Sequence, residues 1–180
     1  MPGSKLGLVQ VYTGEGKGKT TAAIGQGIRG VGAGYKVIMF SFLKNPSSEL
    51  LALACLAPRF TVILANRQPR RFYWELSPQE KETTGQDHRE AWLKVEDIIA
   101  QRECDILILD EIIPVVKYGM VAESALLAII EHCRNNMIEL ILTGRNISMA
   151  VGEAADLITE MKEIKHPMRK GIRARRGIEY

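Results

Sequence analysis

The feature of this sequence that most constrains its fold is a glycine-rich turn between an apolar run and a helix-like segment. Residues 6–12 are rich in β-forming side chains, and residues 19–31 are typical of a helix. The turn and the start of the helix together read Gly14-Glu15-Gly16-Lys17-Gly18-Lys19-Thr20-Thr21. Glycines in such a turn let backbone N–H groups converge on phosphate oxygens, and the helix N-terminus adds the positive end of its dipole. The pattern therefore predicts a P-loop that binds the triphosphate of ATP.

Two side chains in this loop have roles that follow from the motif, and a third residue departs from it. We expect Lys19 to neutralise phosphate charge and the Thr20 hydroxyl to reach a bound Mg²⁺ ion. Thr13 occupies the first position of the motif, where the usual spacing has glycine. The loop thus follows the P-loop pattern with one departure.

A second glycine pattern lies within the helix-like segment. Gly25-Gln26-Gly27-Ile28-Arg29-Gly30 matches the dinucleotide-binding fingerprint. That fingerprint requires a position between a strand and a helix, whereas these residues fall inside a helix. We therefore interpret these glycines as small residues that let the helix pack closely on the sheet.

The rest of the chain alternates strand-like with helix-like segments. Apolar runs of strand length lie at residues 36–43, 60–65, 105–109 and 138–143. Ser77-Pro78-Gln79-Glu80 is a helix start, with a capping serine, proline at the first helical position and glutamate three residues after the cap. That helix is expected to reach residue 101, and a second one covers residues 122–134. The pattern predicts one P-loop NTPase-like α/β domain over residues 1–180, with a mainly parallel sheet and helices on both faces.

Composition and charge limit the location and the partners of the protein. Hydrophobic residues make up 46% of the chain, and no apolar run approaches the ~18 residues that a membrane span requires. The N-terminal residues lack the long apolar region of a signal peptide, so we expect a cytoplasmic protein. The three cysteines are far apart without a Cys-x-x-Cys pair, and each is expected to be a small buried hydrophobe. Residues 162–180 contain seven Lys and Arg against two Glu, so the positive charge is concentrated there.

Two more strand ends bring polar side chains to the same edge of the predicted sheet. One apolar strand ends in Asp110 and Glu111, and the next is followed by Arg145. Ligands of α/β proteins bind where the carboxyl ends of parallel strands meet. We therefore expect Asp110 to hold Mg²⁺ or its waters together with Thr20. Glu111 is expected to face the ligand and is the third candidate residue for the metal. Arg145 is a candidate phosphate contact, although a structural salt bridge fits its position equally well.

These residues together resemble the P-loop class of ATP:corrinoid adenosyltransferases, which make adenosylcobalamin. The resemblance covers nearly the whole chain, and threonine at the first loop position belongs to the family pattern. The C-terminal tail at residues 165–180 is not a feature of P-loop proteins in general. The most specific matches are Tyr12 to Thr21, Leu109-Asp110-Glu111, Leu142-Thr143-Gly144-Arg145, Lys165-His166-Pro167, Lys170-Gly171-Ile172 and Gly177-Ile178-Glu179-Tyr180.

The resemblance implies a reaction that is unusual for a P-loop protein. A Co(I) corrinoid attacks the 5′ carbon of the ribose of ATP and expels intact triphosphate, with Mg²⁺ or Mn²⁺ as the metal. Lys19 and Glu111 would serve the reaction, and Phe72 and Trp74 match aromatic positions that approach the lower face of the corrin. The nucleotide would be bound by Arg145 and by Thr13, Gly14, Glu15, Gly16, Lys17, Gly18, Lys19, Thr20 and Thr21.

The resemblance also implies partners. A flavoprotein is the kind of reductant that would deliver Co(I), and a homodimer is the family-level expectation. Neither a stable nucleic-acid complex nor a membrane partner is expected. Which corrinoid is preferred does not follow from the residues.

The sequence departs from the family pattern at a few positions. Glu15 stands where the family usually has asparagine, which adds a negative charge beside the phosphates that Lys17 could offset. Ile112-Ile113 follows the two carboxylates where a polar residue is common. An N-terminal extension that covers the site in some members is not expected, because the first predicted strand begins at residue 6.

Two other classes of function remain open from the residues alone. The basic tail at residues 162–180 would suit a nucleic-acid-stimulated P-loop ATPase. A small-molecule kinase is the second alternative, although no pattern for a phosphoryl acceptor site is apparent. The apolar residues Ile172 and Ile178 interrupt the charges of the tail. They favour a segment docked on the domain near the ligand site over a free polybasic arm.

Overall fold

Strands and helices alternate in the structure, a computed structural model that describes residues 6–43, 48–66 and 73–178. The strands are β1 Val9–Thr13, β2 Val37–Ser41, β3 Phe60–Leu64, β4 Ile106–Asp110, β5 Glu139–Thr143 and β6 Leu157–Glu160. The α-helices are α1 Lys19–Gly32, α2 Ser48–Leu53, α3 Pro78–Ala100, α4 Ile112–Lys117, α5 Glu123–Asn135 and α6 Met149–Ala154. Short 3₁₀ helices cover Ala54–Leu56, Tyr73–Glu75 and Pro167–Lys170. None of the helices in these ranges combines the length and the apolar character needed to cross a membrane.

The six strands form one sheet in the order β3-β2-β4-β5-β1-β6. Every neighbouring pair is parallel, which confirms the predicted sheet for the described residues. Since β5 lies between β1 and β4, the carboxyl ends of these three strands are adjacent. This is the edge at which α/β proteins bind ligands.

Helices cover both faces of the sheet, as the sequence predicts. On one face, α1 and α2 pack over a cluster that includes Met39, Phe60 and Ile108. On the other face, α3, α4, α5 and α6 pack over a larger cluster that includes Phe40 and Leu107. Successive side chains of a strand point to opposite faces, and both faces are covered here. The strands therefore appear in the sequence as continuous apolar runs.

The predicted start of the longest helix is confirmed in detail. The Ser77 hydroxyl accepts a hydrogen bond from the Glu80 backbone N–H at 3.3 Å. In return, the Glu80 carboxylate accepts one from the Ser77 backbone N–H at 2.7 Å, and Pro78 occupies the first turn. This capping box satisfies N–H groups that a helix terminus otherwise leaves without intrahelical partners.

Four short elements carry no clear signal in the sequence. Helices α2, α4 and α6 have six residues each, which is too short for a helical period to stand out. Strand β6 has four residues, all exposed, and it lies at the edge of the sheet. An exposed edge strand lacks the buried apolar run by which the other strands are recognised.

The three cysteines differ in their environment. Cys104 and Cys133 are buried, and burial raises the pKa of each thiol to about 12, so they are small hydrophobes as expected. The expectation of burial is wrong for Cys55, which is exposed. It lies in the 3₁₀ helix Ala54–Leu56, none of whose residues is buried.

Close packing of α1 on the sheet depends on Gly27. A Cβ atom at this position would lie 2.5 Å from Cε2 of Phe60 and 3.1 Å from Cδ1 of Ile108. At Gly25, two residues earlier in the same helix, no atom lies within 4 Å of such a Cβ. The interpretation of this glycine pattern as a packing feature is confirmed for Gly27.

We expect the substitution Gly27→Ala to lower the free energy of unfolding by about 1–3 kcal/mol, because an added methyl group in a packed core displaces its neighbours. The matched control is Gly25→Ala in the same helix, which should raise the free energy of unfolding by about 0.5–1 kcal/mol through helix propensity. Denaturant unfolding of the three proteins measures both effects. Equal stability of the two variants would contradict the packing role.

Candidate functional site

The loop between β1 and α1 is folded around the side chain of its own lysine. Lys19 is the first residue of α1 and is 7% exposed. Its ammonium group donates hydrogen bonds to the carbonyl oxygen of Gly14 at 2.7 Å and to that of Gly16 at 2.9 Å. A positive charge therefore lies at the centre of the loop.

The chain that follows β6 holds the same loop from outside. The Gly16 N–H donates a hydrogen bond to the Met161 carbonyl oxygen at 2.6 Å, and the Met161 N–H donates one to Thr13 at 2.8 Å. A Cβ atom at Gly14 would lie 2.5 Å from the Met161 oxygen, and one at Gly16 would lie 2.7 Å from it. These two glycines are therefore required by a neighbouring segment of the chain, a reason that the loop motif does not reveal.

The carboxylate of Asp110 is the polar centre of the carboxyl edge. Asp110 ends β4 and is fully buried. Its Oδ1 atom accepts hydrogen bonds from the Thr20 hydroxyl at 2.9 Å and from the Thr143 hydroxyl at 2.7 Å. Thr20 and Asp110 are predicted from the sequence to lie together, and the structure brings them into contact. Thr143 also contacts this carboxylate, whereas from the sequence it is known only as part of a stretch that resembles the family.

The oxygen atoms of this cluster suit Mg²⁺. Among residues 6–43, 48–66 and 73–178, no group of three or more His, Cys, Asp or Glu side chains could hold a metal ion. Mg²⁺ is usually bound by one or two carboxylates together with substrate phosphates and waters. The Thr20 hydroxyl and the Asp110 carboxylate therefore fit a Mg²⁺ site that a polyphosphate completes.

Glu111 adopts a different backbone conformation from the strand residue before it. Its φ is 60° and its ψ is 31°, in the left-handed region that is uncommon for residues other than glycine. Its N–H donates a hydrogen bond to the Thr143 hydroxyl at 2.8 Å. This contact turns the chain from β4 into α4 beside the Asp110 carboxylate. The expected role of the Glu111 side chain toward the ligand stays a prediction.

Arg145 and Glu15 form an ion pair beside the loop. Nη1 of Arg145 contacts Oε2 of Glu15, and the two side chains are 55% and 58% exposed. Gly144 fixes the backbone just before the arginine, because a Cβ atom there would lie 2.6 Å from Cβ of Ile113. The arginine thus forms a salt bridge with a loop residue, which is one of the two roles that the sequence leaves open, and its contact with a phosphate stays a prediction.

The C-terminal segment also reaches the loop. Lys17 donates a hydrogen bond from its ammonium group to the Ile178 carbonyl oxygen. His166 accepts a hydrogen bond through Nδ1 from the Met168 N–H at 3.2 Å and caps the 3₁₀ helix Pro167–Lys170. Nearly all of residues 162–178 are exposed. The end of the tail lies beside the loop, and its docking on the domain in solution stays a prediction.

The aromatic residues implied by the resemblance are only partly described by the structure. Phe72 lies outside the described residues. Trp74 is 66% exposed and belongs to the 3₁₀ helix Tyr73–Glu75. Tyr73 anchors this helix by stacking on Tyr118, with ring centroids 4.4 Å apart. An exposed tryptophan is therefore carried by an anchored segment, and its role at a corrin ring stays a prediction.

The fold and the loop define the class of the protein. A parallel sheet, a lysine-centred glycine loop after the first strand and a buried aspartate at the end of a central strand make it a P-loop α/β protein. The flagellar accessory protein FlaH from Methanocaldococcus jannaschii has the same fold, with a TM-score of 0.59 and 13% sequence identity. That comparison covers 88% of this chain and 72% of FlaH.

Sequence comparison gives the particular family. A model of the family described as ATP:corrinoid adenosyltransferase BtuR/CobO/CobP matches residues 5–180, so the chain belongs to this family of transferases. The corrinoid adenosyltransferase of Escherichia coli is 33% identical over 176 residues, which cover 97% of this chain and 86% of the relative. Corrinoid adenosyltransferase CobA of Salmonella typhimurium is 30% identical over 176 residues with the same coverage. The resemblance inferred from the motifs is confirmed.

We expect Thr143→Val to lower the free energy of unfolding by about 2–4 kcal/mol, because it leaves the Glu111 N–H and one acceptor position of the buried Asp110 carboxylate without the hydroxyl. Thr143→Ser keeps the hydroxyl and loses one methyl group, so it is the matched control, at a cost of about 0.5–1.5 kcal/mol. Urea unfolding measures the difference. A valine variant that is as stable as the serine variant would show that the hydroxyl does not hold the cluster together.

Proposed function

We propose that this protein transfers the 5′-deoxyadenosyl group of ATP to the Co(I) centre of a corrinoid and releases triphosphate. The observation that carries the proposal is the folded phosphate loop with the buried Lys19 ammonium at its centre. It occurs in a chain that matches the adenosyltransferase family over residues 5–180. The names of the relatives, corrinoid adenosyltransferases, support the same pair of substrates.

The proposed reaction requires the loop to stabilise a leaving group. The electron pair of Co(I) forms a bond to C5′ of the ribose, the C5′–O bond breaks, and its electrons leave with the triphosphate. Negative charge therefore develops on a phosphate oxygen. Preorganised N–H groups and cations stabilise such charge without reorganising during the reaction. In this proposal the Lys19 ammonium group, which now bonds to the carbonyl oxygens of Gly14 and Gly16, would supply the cation, and N–H groups of residues 14–21 would supply the donors.

Thr20 and Asp110 would hold Mg²⁺, which supplies charge neutralisation for the polyphosphate. Two hydroxyl groups orient Oδ1 of Asp110, so the carboxylate is fixed in relation to the loop. Glu111 follows at the same edge and would face the ligand. Arg145 would provide a second cation to the phosphates, since its guanidinium group already lies beside the loop.

Phe72 and Trp74 would act on the corrin rather than on the nucleotide. An axial ligand beneath the cobalt raises the energy of the orbital that accepts an electron, so its removal makes Co(II) easier to reduce. Apolar side chains that fill this space cannot coordinate the metal and exclude water. The exposure of Trp74 on a segment anchored by Tyr73 supports this role.

The remaining partners are part of the same proposal. A flavoprotein would supply the electron for Co(I), and the protein would act as a homodimer in the cytoplasm without nucleic acid. The exposed basic residues of the tail are the observation that favours the other class, a nucleic-acid-stimulated ATPase. A kinase is the third possibility, and the phosphate product separates all three.

With ATP, Mg²⁺ and chemically reduced cobalamin, we expect a light-sensitive Co–C product and free triphosphate, without ADP and without any effect of DNA or RNA. Phosphorus NMR identifies the phosphate product. Lys19→Ala should lower the rate by about 100-fold or more, because one charge-stabilising donor of this kind contributes that much. ADP formed together with phosphate would indicate an ATPase, and ADP with a phosphorylated acceptor would indicate a kinase.

The control for the lysine substitution is Lys94→Ala, which removes an exposed lysine from α3 and should leave the rate unchanged. Circular dichroism should show that both variants are folded. A folded Lys19→Ala protein that keeps a tenth of the original rate would contradict the assignment of the loop.

Replacing Phe72 and Trp74 with alanine should leave ATP binding nearly intact and weaken the four-coordinate Co(II) signal in electron paramagnetic resonance. The rate should fall sharply with a mild biological reductant, since reduction then depends on loss of the axial ligand. It should fall much less when Co(I) is supplied ready-made. Leu93→Ala removes an exposed apolar side chain elsewhere and is the control. Equal losses with both sources of Co(I) would show that the aromatics serve binding or folding instead.

A further inference from the structure

Glu15 places a carboxylate inside a loop that is otherwise suited to anions. Its neighbours include Lys17 and Lys19, whose charges favour phosphate. A fixed negative charge at this position repels the ligand that the rest of the loop attracts. Its presence calls for a physical role.

The partner of Glu15 is held by a different part of the fold. Arg145 follows Gly144, whose N–H donates a hydrogen bond to the Tyr12 carbonyl oxygen at 3.2 Å at the end of β1. Gly144 has a φ of 146° and no room for a side chain against Ile113. The backbone that carries the guanidinium group is therefore fixed relative to the loop.

The backbone of Glu15 is fixed as well. The residues on each side of it, Gly14 and Gly16, both lie against the Met161 carbonyl oxygen. Exposed ion pairs contribute little to stability in general, so the pair is not explained by the fold alone. The fixed backbones of Glu15 and Arg145 bring opposite charges together beside the phosphate loop. This arrangement indicates that the ion pair has a role in ligand binding.

We propose that Glu15 is a specificity-determining residue that holds Arg145 beside the loop and weakens the binding of free triphosphate more than that of ATP. This inference rests on the proposed function. A guanidinium group binds carboxylates and phosphates in the same bidentate manner, so Glu15 competes with the ligand for Arg145. Free triphosphate carries one more ionisable oxygen than the esterified chain of ATP. The repulsion from Glu15, which increases with ligand charge, therefore acts more strongly on the product.

The consequence is a loop that discriminates between substrate and product by charge. A P-loop without the carboxylate would retain the more highly charged product more tightly and would be inhibited by it. With Glu15 present, Arg145 returns to its carboxylate partner when the triphosphate leaves. The ion pair thus favours product release.

Calorimetric titration with Mg²⁺–ATP and with Mg²⁺–tripolyphosphate tests the inference. Glu15→Gln keeps the size of the side chain and removes its charge. We expect it to tighten tripolyphosphate binding by about tenfold and ATP binding by about threefold, and both effects should decrease at high salt. Inhibition of turnover by added tripolyphosphate should become stronger in this variant.

Two further variants separate the contribution of the arginine from other effects. Arg145→Gln should weaken the binding of both ligands. Adding Glu15→Gln to it should still tighten tripolyphosphate binding more than ATP binding, because the repulsion from the carboxylate does not depend on the arginine. Glu131→Gln removes the carboxylate of another exposed ion pair, with Arg134 on α5, and should change neither affinity.

The outcomes are distinguishable from a failure of the proposed function. If the original protein binds neither ATP nor tripolyphosphate, the proposed function fails and this inference fails with it. If it binds ATP and forms the Co–C product, but Glu15→Gln gains no affinity or gains it equally for both ligands, only the inference about Glu15 is overturned. Equal gains in affinity for the two ligands when Glu15→Gln is added to Arg145→Gln would also overturn it.

Discussion

The arrangement of the site depends on one buried carboxylate. Asp110 has no exposed surface, and burying a carboxylate is unfavourable unless hydrogen bonds replace its water. Oδ1 of Asp110 accepts them from Thr20 at the start of α1 and from Thr143 at the end of β5. These contacts require the ends of β1, β4 and β5 to be level, which the order and the register of the sheet provide. The position of the phosphate loop over the sheet is thus linked to the hydrogen bonds of one aspartate.

The loop itself is organised by groups from several parts of the chain. Lys19 donates hydrogen bonds to carbonyl oxygens of the loop from within. Met161, which lies outside the loop, accepts a hydrogen bond from the Gly16 N–H. Strand β6 is what brings Met161 to this place, because it pairs with β1 and ends level with Thr13. A short exposed strand without an obvious function therefore contributes directly to the shape of the phosphate site. An alanine at Gly14 or Gly16 would disturb the loop through this segment, even if the phosphate contacts themselves tolerated a side chain.

Sequence reasoning succeeds where a contact is encoded within a local motif and fails where it depends on strand order. The P-loop spacing predicts the location of Lys19, and the acidic end of an apolar run predicts Asp110, since both patterns are local. Thr143 contacts Asp110 only because β5 lies between β1 and β4, and no local signal reveals that order. The contact of Met161 with the loop depends in the same way on β6, whose exposed residues do not have the pattern of a buried strand. The sequence also does not predict the exposure of Cys55, because residue type predicts burial only on average.

The charged residues of the loop already have partners, in distant segments or in the loop itself. Lys17 bonds to the carbonyl oxygen of Ile178, Glu15 pairs with Arg145, and Lys19 bonds to the loop itself. When a ligand enters such a loop, charged side chains that are already in position exchange their present partners for the ligand. The ligand therefore does not have to order the loop, and the conformational entropy of the loop is lost during folding rather than on binding. The exchange also makes affinity sensitive to each partner, because a phosphate would compete with the Glu15 carboxylate at Arg145 and with carbonyl oxygens of the loop at Lys19. In the proposal for Glu15, the charge pattern around the loop, in addition to its glycines, would determine which polyphosphates the loop retains.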